Sequence, residues 1–217
     1  MMSRMLVRRI TTPLFRWPVS QAQAESTLTA AYRAEVYLRH RQFIDDEATR
    51  TNITNVASAL SRLAKPKFGL IICGDCGNGK TTMMSAIRTA TAYMEDEGLF
   101  TYETSQGGVH TMDVRFAMYD AVDLCLPNTV AKLQNIASSP LLIIEDLGQE
   151  PVEVQIYGNI FYPVTMVLER RYKMNLPTFI TTNLTPDLIG KHYGKRIRDR
   201  LREMSFVVPF DNPSYRK

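Results

Sequence analysis

Apolar positions in this chain follow two different spacings. Short continuous apolar runs indicate buried strands, and stretches with apolar residues every three or four positions indicate helices. The predicted strands cover residues 70–73, 114–119, 141–144, 177–181 and 206–210. The predicted helices cover residues 25–41, 52–63, 80–98, 120–138, from after 146 to about 172, and 188–204. This alternation predicts an α/β fold with a mostly parallel sheet and helices on both faces.

Two stretches are less regular. Residues 100–112 contain a Gly-Gly pair and predict a loop or a hairpin. In the helix expected after residue 146, Ile156 and Ile160 share one side with the apolar residues that follow them. Pro163 predicts a kink or a break in that helix, because proline lacks the backbone N–H.

Composition bounds the class of protein. The chain has 217 residues, of which 45% are hydrophobic, so one domain of ordinary size and a short appendage are expected. No apolar run approaches the ~20 residues that a membrane helix needs, and we expect no membrane partner. The net charge of +4 is compatible with a nucleic-acid partner.

The cysteines do not predict a disulfide framework. There are three of them, Cys73, Cys76 and Cys125, and an odd count in a chain of this size favours free thiols. Cys73 and Cys76 form a C-x-x-C, but it spans the end of a strand and a glycine-rich loop, where a bridge or a metal would compete with a ligand. We expect a reduced, cytoplasmic protein.

The N-terminal region is basic. Residues 1–24 contain arginines and no acidic residue, with Phe15 and Trp17 between two prolines. This composition fits a docking arm, an organelle presequence or a disordered terminus. We divide the chain into residues 1–45, a basic arm and helix that are a candidate partner-docking region, and residues 46–217, the main α/β domain.

The strand at 70–73 leads into a phosphate-binding loop. Residues 74–81 match G-x-x-x-x-G-K-[ST], and a helical pattern starts at Lys80. Glycines let backbone N–H groups converge on phosphate oxygens, and the helix adds its positive end. We expect Lys80 to bind the β- and γ-phosphates of ATP and the Thr81 hydroxyl to bind Mg²⁺. The candidate nucleotide-binding residues are Gly74, Asp75, Cys76, Gly77, Asn78, Gly79, Lys80, Thr81 and Thr82.

Polar residues follow two later strands. Glu145 and Asp146 end the run at 141–144, and such a pair holds Mg²⁺, partly through water, and polarises the attacking water. We assign Glu145 to the metal and Asp146 to the water. Asn183 ends the next strand, where it can orient the same water or serve as a turn residue.

A basic helix follows. Ile197 and Leu201 share a face that would anchor it, and Arg196 and Arg200 lie on a flank. An arginine offered by a neighbouring subunit can stabilise charge on the γ-phosphate. A solvated basic face is the alternative.

Together these motifs resemble the AAA+ ATPases of the DnaC/IstB type, which are bacterial replicative helicase loaders and transposase helper ATPases. The resemblance covers roughly residues 50–217. It is carried by the phosphate loop and by five further motifs, Leu141-Leu-Ile-Ile-Glu-Asp-Leu-Gly148, Glu169-Arg-Arg-Tyr172, Pro177-Thr-Phe-Ile-Thr-Thr-Asn183, Gly194-Lys-Arg-Ile-Arg-Asp-Arg-Leu201 and Asp211-Asn-Pro-Ser-Tyr-Arg216.

The resemblance implies an AAA+ fold with strand order 5-1-4-3-2 and little or no C-terminal lid. It implies Asn183 as the first sensor and Arg200 as a residue acting on the neighbour's nucleotide, with Arg196 beside it. The family has Asp-Asp or Asp-Glu where this chain has Glu145-Asp146, a departure compatible with weak hydrolysis.

The implied function is an ATP-dependent loader of the replicative helicase onto single-stranded DNA, which self-associates when ATP is bound. One alternative is a transposase helper ATPase that binds target DNA. Another is a binding module that ATP assembles with negligible hydrolysis. The shortness of the N-terminal region favours loading over the transposase role.

Overall fold

A five-stranded sheet lies between two layers of helices. The computed structural model describes residues 14–103, 108–126, 129–156 and 158–215, so the predictions for residues 1–13, 104–107, 127–128, 157 and 216–217 lie outside it. The helices are α1 Gln21–Leu38, α2 Glu47–Ser61, α3 Lys80–Asp96, α4 Ala121–Cys125, α5 Val130–Ala137, α6 Pro163–Met174, α7 Pro186–Tyr193 and α8 Lys195–Met204. The strands are β1 Gly69–Gly74, β2 Thr101–Glu103, β3 Val109–Thr111, β4 Phe116–Asp120, β5 Leu141–Leu147, β6 Val154–Ile156, β7 Asn159–Phe161, β8 Thr178–Thr182 and β9 Ser205–Phe210.

All neighbouring strands of the main sheet are parallel. Their order is β4-β5-β8-β1-β9, which is 5-1-4-3-2 when only these five strands are numbered along the chain and the sheet is read from β9. The predicted fold class and strand order are therefore confirmed. Because the strands are parallel, their carboxyl ends meet at one edge of the sheet, where ligands bind in folds of this kind.

The two faces of the sheet carry separate hydrophobic cores. Ile72 and Phe179 pack with α1, α2 and α3, whereas their neighbours Ile71 and Ile180 pack with the helices of the other layer. This division follows from the strand geometry, in which successive side chains point to opposite faces. In the described part of the chain, no helix has both the length and the apolar character needed to cross a membrane.

The residues that precede α1 belong to the first core. The Phe15 ring lies 5.7 Å from the Phe100 ring and 6.0 Å from the Phe179 ring, and the Trp17 indole N–H donates to the Thr91 hydroxyl at 3.0 Å. Residues 14–38 thus add to the same core as the central strands. The division of the chain at residue 45 stays a prediction.

A buried arginine joins elements at the amino ends of the strands. Arg171, in the Glu169-Arg-Arg-Tyr172 motif, is fully buried, and it donates to the Thr178 hydroxyl at 2.8 Å and to the carbonyls of Ala137 and Ser139 at 3.1 and 2.8 Å. Burial lowers the pKa of its guanidinium to about 9. Arg171 therefore connects α5 and α6 to β8 through carbonyl and hydroxyl oxygens.

Three helix predictions are wrong in part. The helix predicted over 120–138 is two helices, α4 and α5. In the first part of the helix expected after residue 146, β6 and β7 instead form an antiparallel pair, and Pro163 is the first residue of α6. Proline suits that first position because the N–H it lacks has no partner there. The basic helix predicted over 188–204 is two helices, α7 and α8, which meet at Gly194 with φ of 87°. β2 and β3 pair antiparallel, in agreement with the hairpin that the sequence allowed.

Candidate functional site

The phosphate loop connects β1 to α3, as predicted. Gly77 and Gly79 have φ of 85° and 95°, in the left-handed region where other residues are strained. These two turns let the backbone curl back before Lys80 begins α3. The loop has the conformation of a phosphate nest with a helix N-terminus at its end.

Lys80 lies folded against its own loop. Its Nζ donates to the carbonyls of Gly74 and Asp75 at 2.7 and 2.6 Å and to Asn78 Oδ1 at 3.1 Å. Burial lowers the pKa of this ammonium, and the charge of Asp146 opposes that shift. A phosphate chain would offer Lys80 charged oxygens in place of carbonyls, and bonds between two charged groups are stronger.

Glu145 is the buried acid of the site. Burial raises its pKa to about 7, and the charges of Asp120 and Asp146 add to the shift, whereas a hydrogen bond from Thr81 opposes it. Its Oε1 is buried without a hydrogen-bond partner. A buried carboxylate that faces other acids is stabilised by a cation, so this atom fits a metal ligand.

Asp146 lies in a different environment. It is exposed and has φ of 51°, at an irregularity in the pairing of β5 with β8. Its N–H donates to the Thr181 hydroxyl at 2.9 Å, and the Thr182 hydroxyl donates to the Leu147 carbonyl at 2.6 Å. The two threonines of β8 therefore hold the backbone of Asp146 and of Leu147, and the exposed Asp146 side chain remains available to solvent and ligand.

The donor set fits Mg²⁺ bound together with a nucleotide. Among the described residues, no group of three or more His, Cys, Asp or Glu side chains is arranged to hold a metal ion by itself. Mg²⁺ prefers oxygen ligands and is held in nucleotide sites by few protein groups together with phosphate oxygens. The Thr81 hydroxyl and the unpartnered oxygen of Glu145 are the groups suited to this role.

Comparisons with known proteins point to one group. The replicative helicase loader DnaI of Bacillus subtilis (strain 168) is 25% identical over 142 residues, which is 65% of this chain and 41% of that protein. A crystal structure of DnaI superposes with a TM-score of 0.58 and 21% identity, covering 89% of this chain and all of that one. A DnaC helicase loader structure gives a TM-score of 0.55 and 19% identity over 77% of this chain and 93% of that chain.

The chain has the AAA+ fold of these loaders. The predicted likeness to DnaC-type AAA+ proteins is confirmed. A DnaA replication initiator bound to AMPPCP and single-stranded DNA also shares the fold, with a TM-score of 0.53 and 17% identity over 79% of this chain and 49% of that one. No family model matches the chain, and the chain spans about two fifths of the length of its curated relative.

Within this AAA+ fold, the predicted arginines contact α6. Ile197 and Leu201 are buried as expected. Arg200 donates to Glu169 Oε1 at 2.8 Å and lies 5.0 Å over the Tyr172 ring, and Arg196 pairs with Glu169 at 3.4 Å. The Arg200 side chain is only 16% exposed. In the single subunit Arg200 is therefore held against α6, a contact that its predicted position on a flank of the helix did not indicate.

The remaining predicted residues lie at the carboxyl edge of the AAA+ sheet. Asn183 is exposed in the turn that follows β8, the strand that pairs with β5. Asp75 and Cys76 are exposed in the phosphate loop, and Thr82 is half-buried on the first turn of α3. The catalytic roles given to Asn183, Glu145 and Asp146 stay predictions.

Sequence reasoning missed two acidic residues near the site. Asp120 ends β4 directly opposite Glu145, and burial together with the charges of Asp123 and Asp146 raises its pKa. Glu150 is buried, accepts the Gly148 N–H at 2.8 Å and accepts a hydrogen bond from the Tyr193 hydroxyl. Asp120 could have been identified from the sequence by its position at the end of a strand. Glu150 could not, because its partner Tyr193 is distant in the chain.

Proposed function

We propose that this protein binds and hydrolyses ATP and loads a replicative helicase onto single-stranded DNA. The observation that carries the proposal is the phosphate loop beside the buried, unpartnered oxygen of Glu145, in a chain with the fold of helicase loaders. The likeness to a replicative helicase loader in sequence supports the partner. The proposal places the protein in the cytoplasm, where bacterial DNA is replicated.

One set of residues binds the phosphates and the metal ion, and another activates the attacking water. The phosphate-loop N–H groups and Lys80 bind the phosphates after Lys80 leaves the loop carbonyls. Bound by Thr81 and Glu145, Mg²⁺ would neutralise part of the charge on the β- and γ-phosphates. Asp146, which is exposed, polarises the attacking water, and Asn183 orients it without adding charge.

Assembly completes the site in this proposal. Arg200 leaves Glu169 when a second subunit docks, and it then stabilises charge on the neighbour's γ-phosphate. Arg196, which also pairs with Glu169, moves with it. ATP therefore favours the oligomer because the bound phosphates compete with Glu169 for the two guanidinium groups.

A second candidate is an ATP-assembled module with negligible turnover. Two observations favour it, the raised pKa of Glu145 and the pairing of Arg200 with Glu169 in the subunit. A turnover assay with single-stranded DNA and helicase present separates the two candidates, because the module would bind ATP and assemble without releasing phosphate.

The test begins with ATP binding by the parent and by Lys80→Ala, which we expect not to bind ATP. The protein is then mixed with replicative helicase, circular single-stranded DNA and ATP, and DNA-bound helicase is counted. A loader raises this count only with ATP, and its own binding to single-stranded DNA weakens with salt because Lys and Arg contacts release counterions. Capture of a transposase with no effect on helicase loading would assign the helper role instead.

A further inference from the structure

The segment that follows β9 lies against the outside of the phosphate loop. The Tyr215 backbone N–H donates to the Gly77 carbonyl at 2.9 Å. The Asn212 amide nitrogen donates to the Asn78 carbonyl at 3.2 Å, and also to the Pro213 carbonyl at 3.1 Å. Two successive carbonyls of the phosphate loop are therefore held by residues 212–215, which we call the closing segment.

The closing segment is itself fixed to α2. Asn52 donates its amide N–H to Asn212 Oδ1 at 2.9 Å, and both residues are buried. The Tyr215 hydroxyl bonds to the Thr49 hydroxyl at 2.8 Å and lies 3.4 Å from Asp46 Oδ1. The bond from Asn52 also fixes the orientation of the Asn212 amide, because Oδ1 must face the Asn52 donor and the nitrogen must face the loop.

Asn78 extends this arrangement to the lysine. It is buried, and its side-chain nitrogen donates to the Phe210 carbonyl at 2.7 Å, which turns its oxygen toward Lys80 Nζ at 3.1 Å. A buried series of amides, Asn52, Asn212 and Asn78, thus runs from α2 to Lys80.

Peptide geometry gives these contacts a consequence for ligand binding. In a planar trans peptide, the carbonyl of one residue and the N–H of the next point in opposite directions. With the carbonyls of Gly77 and Asn78 held by the closing segment, the N–H groups of Asn78 and Gly79 point away from it. In a phosphate loop those N–H groups are donors to phosphate oxygens.

We propose that Asn212 and Tyr215 are positioning residues for phosphate binding, which hold the loop N–H groups in place from outside the site. The inference rests on the proposed ATP binding and adds residues that lie more than a hundred positions from the loop in sequence. Their loss weakens the binding of any polyphosphate and does not depend on the nucleobase.

The first test is Asn212→Asp, which has nearly the same shape but places an acceptor opposite the Asn78 carbonyl. Its control is Asn55→Asp, the same change at an exposed position of α2. We expect Asn212→Asp to weaken Mg·ADP binding, measured by calorimetry, by about tenfold or more, and the control to leave it unchanged. Inorganic tripolyphosphate, used as a competitor, should lose affinity by the same factor.

A second pair of variants isolates one hydrogen bond. Tyr215→Pro and Tyr215→Ala both remove the ring, but only proline also removes the backbone N–H. We expect Tyr215→Pro to bind Mg·ADP about tenfold more weakly than Tyr215→Ala. This comparison remains informative if Asn212→Asp does not fold.

The outcomes distinguish a failure of the proposed ATP binding from a failure of the positioning role. If the parent does not bind Mg·ADP, the proposed function and this inference both fail. If the parent binds Mg·ADP, but Asn212→Asp binds it as tightly as Asn55→Asp and Tyr215→Pro as tightly as Tyr215→Ala, only this inference fails. A lower thermal midpoint without nucleotide, together with unchanged affinity, would assign the closing segment a structural role alone. A loss for Mg·ADP but not for tripolyphosphate would assign it to the base or ribose and overturn the inference.

Discussion

Glu145→Gln is expected to stabilise the nucleotide-free protein at high pH and to weaken its response to Mg²⁺. The pKa of Glu145 is raised from 4.5 to about 7 because the carboxyl is buried and two other acids lie nearby. Since the folded state binds this proton more tightly than the unfolded state, the stabilisation it gives is complete below the unfolded pKa. It is lost as the pH rises through the folded pKa.

The magnitude follows from the shift. One pKa unit corresponds to about 1.4 kcal/mol, so an ionised Glu145 reduces the free energy of unfolding by about 3 kcal/mol at about pH 8, where glutamine has no such effect. Between about pH 5.5 and about pH 8, the advantage of Glu145→Gln over the parent should grow by about 2 kcal/mol. Comparing the two proteins at both pH values removes any effect of the substitution on stability that does not depend on pH.

The assay is urea unfolding at both pH values without nucleotide or Mg²⁺. The control is Glu97→Gln, the same change at an exposed position. Asp120→Asn removes the charge that contributes most to this shift and should reduce the pH dependence of the parent. With Mg·ATP present the order should reverse, because the parent gains a cation at Glu145. Equal pH dependence in the parent and in Glu145→Gln would refute the reasoning.

Three further predictions concern other residues. Asp146→Asn should bind Mg·ATP normally but release phosphate more slowly in a steady-state assay, since its charge acts on the attacking water. Arg200→Ala should bind ATP as a monomer but lose ATP-dependent assembly. Its stimulated rate of ATP hydrolysis should fall by a factor of up to ~10³. Mixing it with Lys80→Ala should restore some activity, and no restoration would contradict a shared site. Arg171→Ala should lower the free energy of unfolding by about 3–5 kcal/mol, because buried oxygens lose their donor, whereas exposed Arg170→Ala should have a small effect.

Local sequence signals predicted the elements around the site. The phosphate loop, its flanking strand and helix, and the acidic end of β5 depend on residues close together in the chain, and the structure has them where expected. The β6–β7 hairpin was missed because Ile156 and Ile160 have helical spacing. Gly158, at φ of 79°, was the available signal for a turn. Gly194 marks the break between α7 and α8 in the same way.

Contacts between distant residues could not be predicted. The pairing of Arg200 with Glu169 depends on how α8 packs on α6, and helical spacing places a residue only on a face of its own helix. The two amides of Asn52 and Asn212 are 160 positions apart and meet only when the sheet is complete. The unpartnered oxygen of Glu145 likewise depends on the packing of the sheet.

The order of the strands has a consequence for the newly made protein. β1 lies between β8 and β9, and the phosphate loop bonds to residues 132 and 134 positions later in the chain. During translation the nucleotide motif therefore leaves the ribosome long before its neighbouring strands exist. A nascent chain carrying the whole motif should not retain ATP until β9 and the closing segment have emerged, so only a subunit that has reached this stage could enter the proposed ATP-dependent assembly.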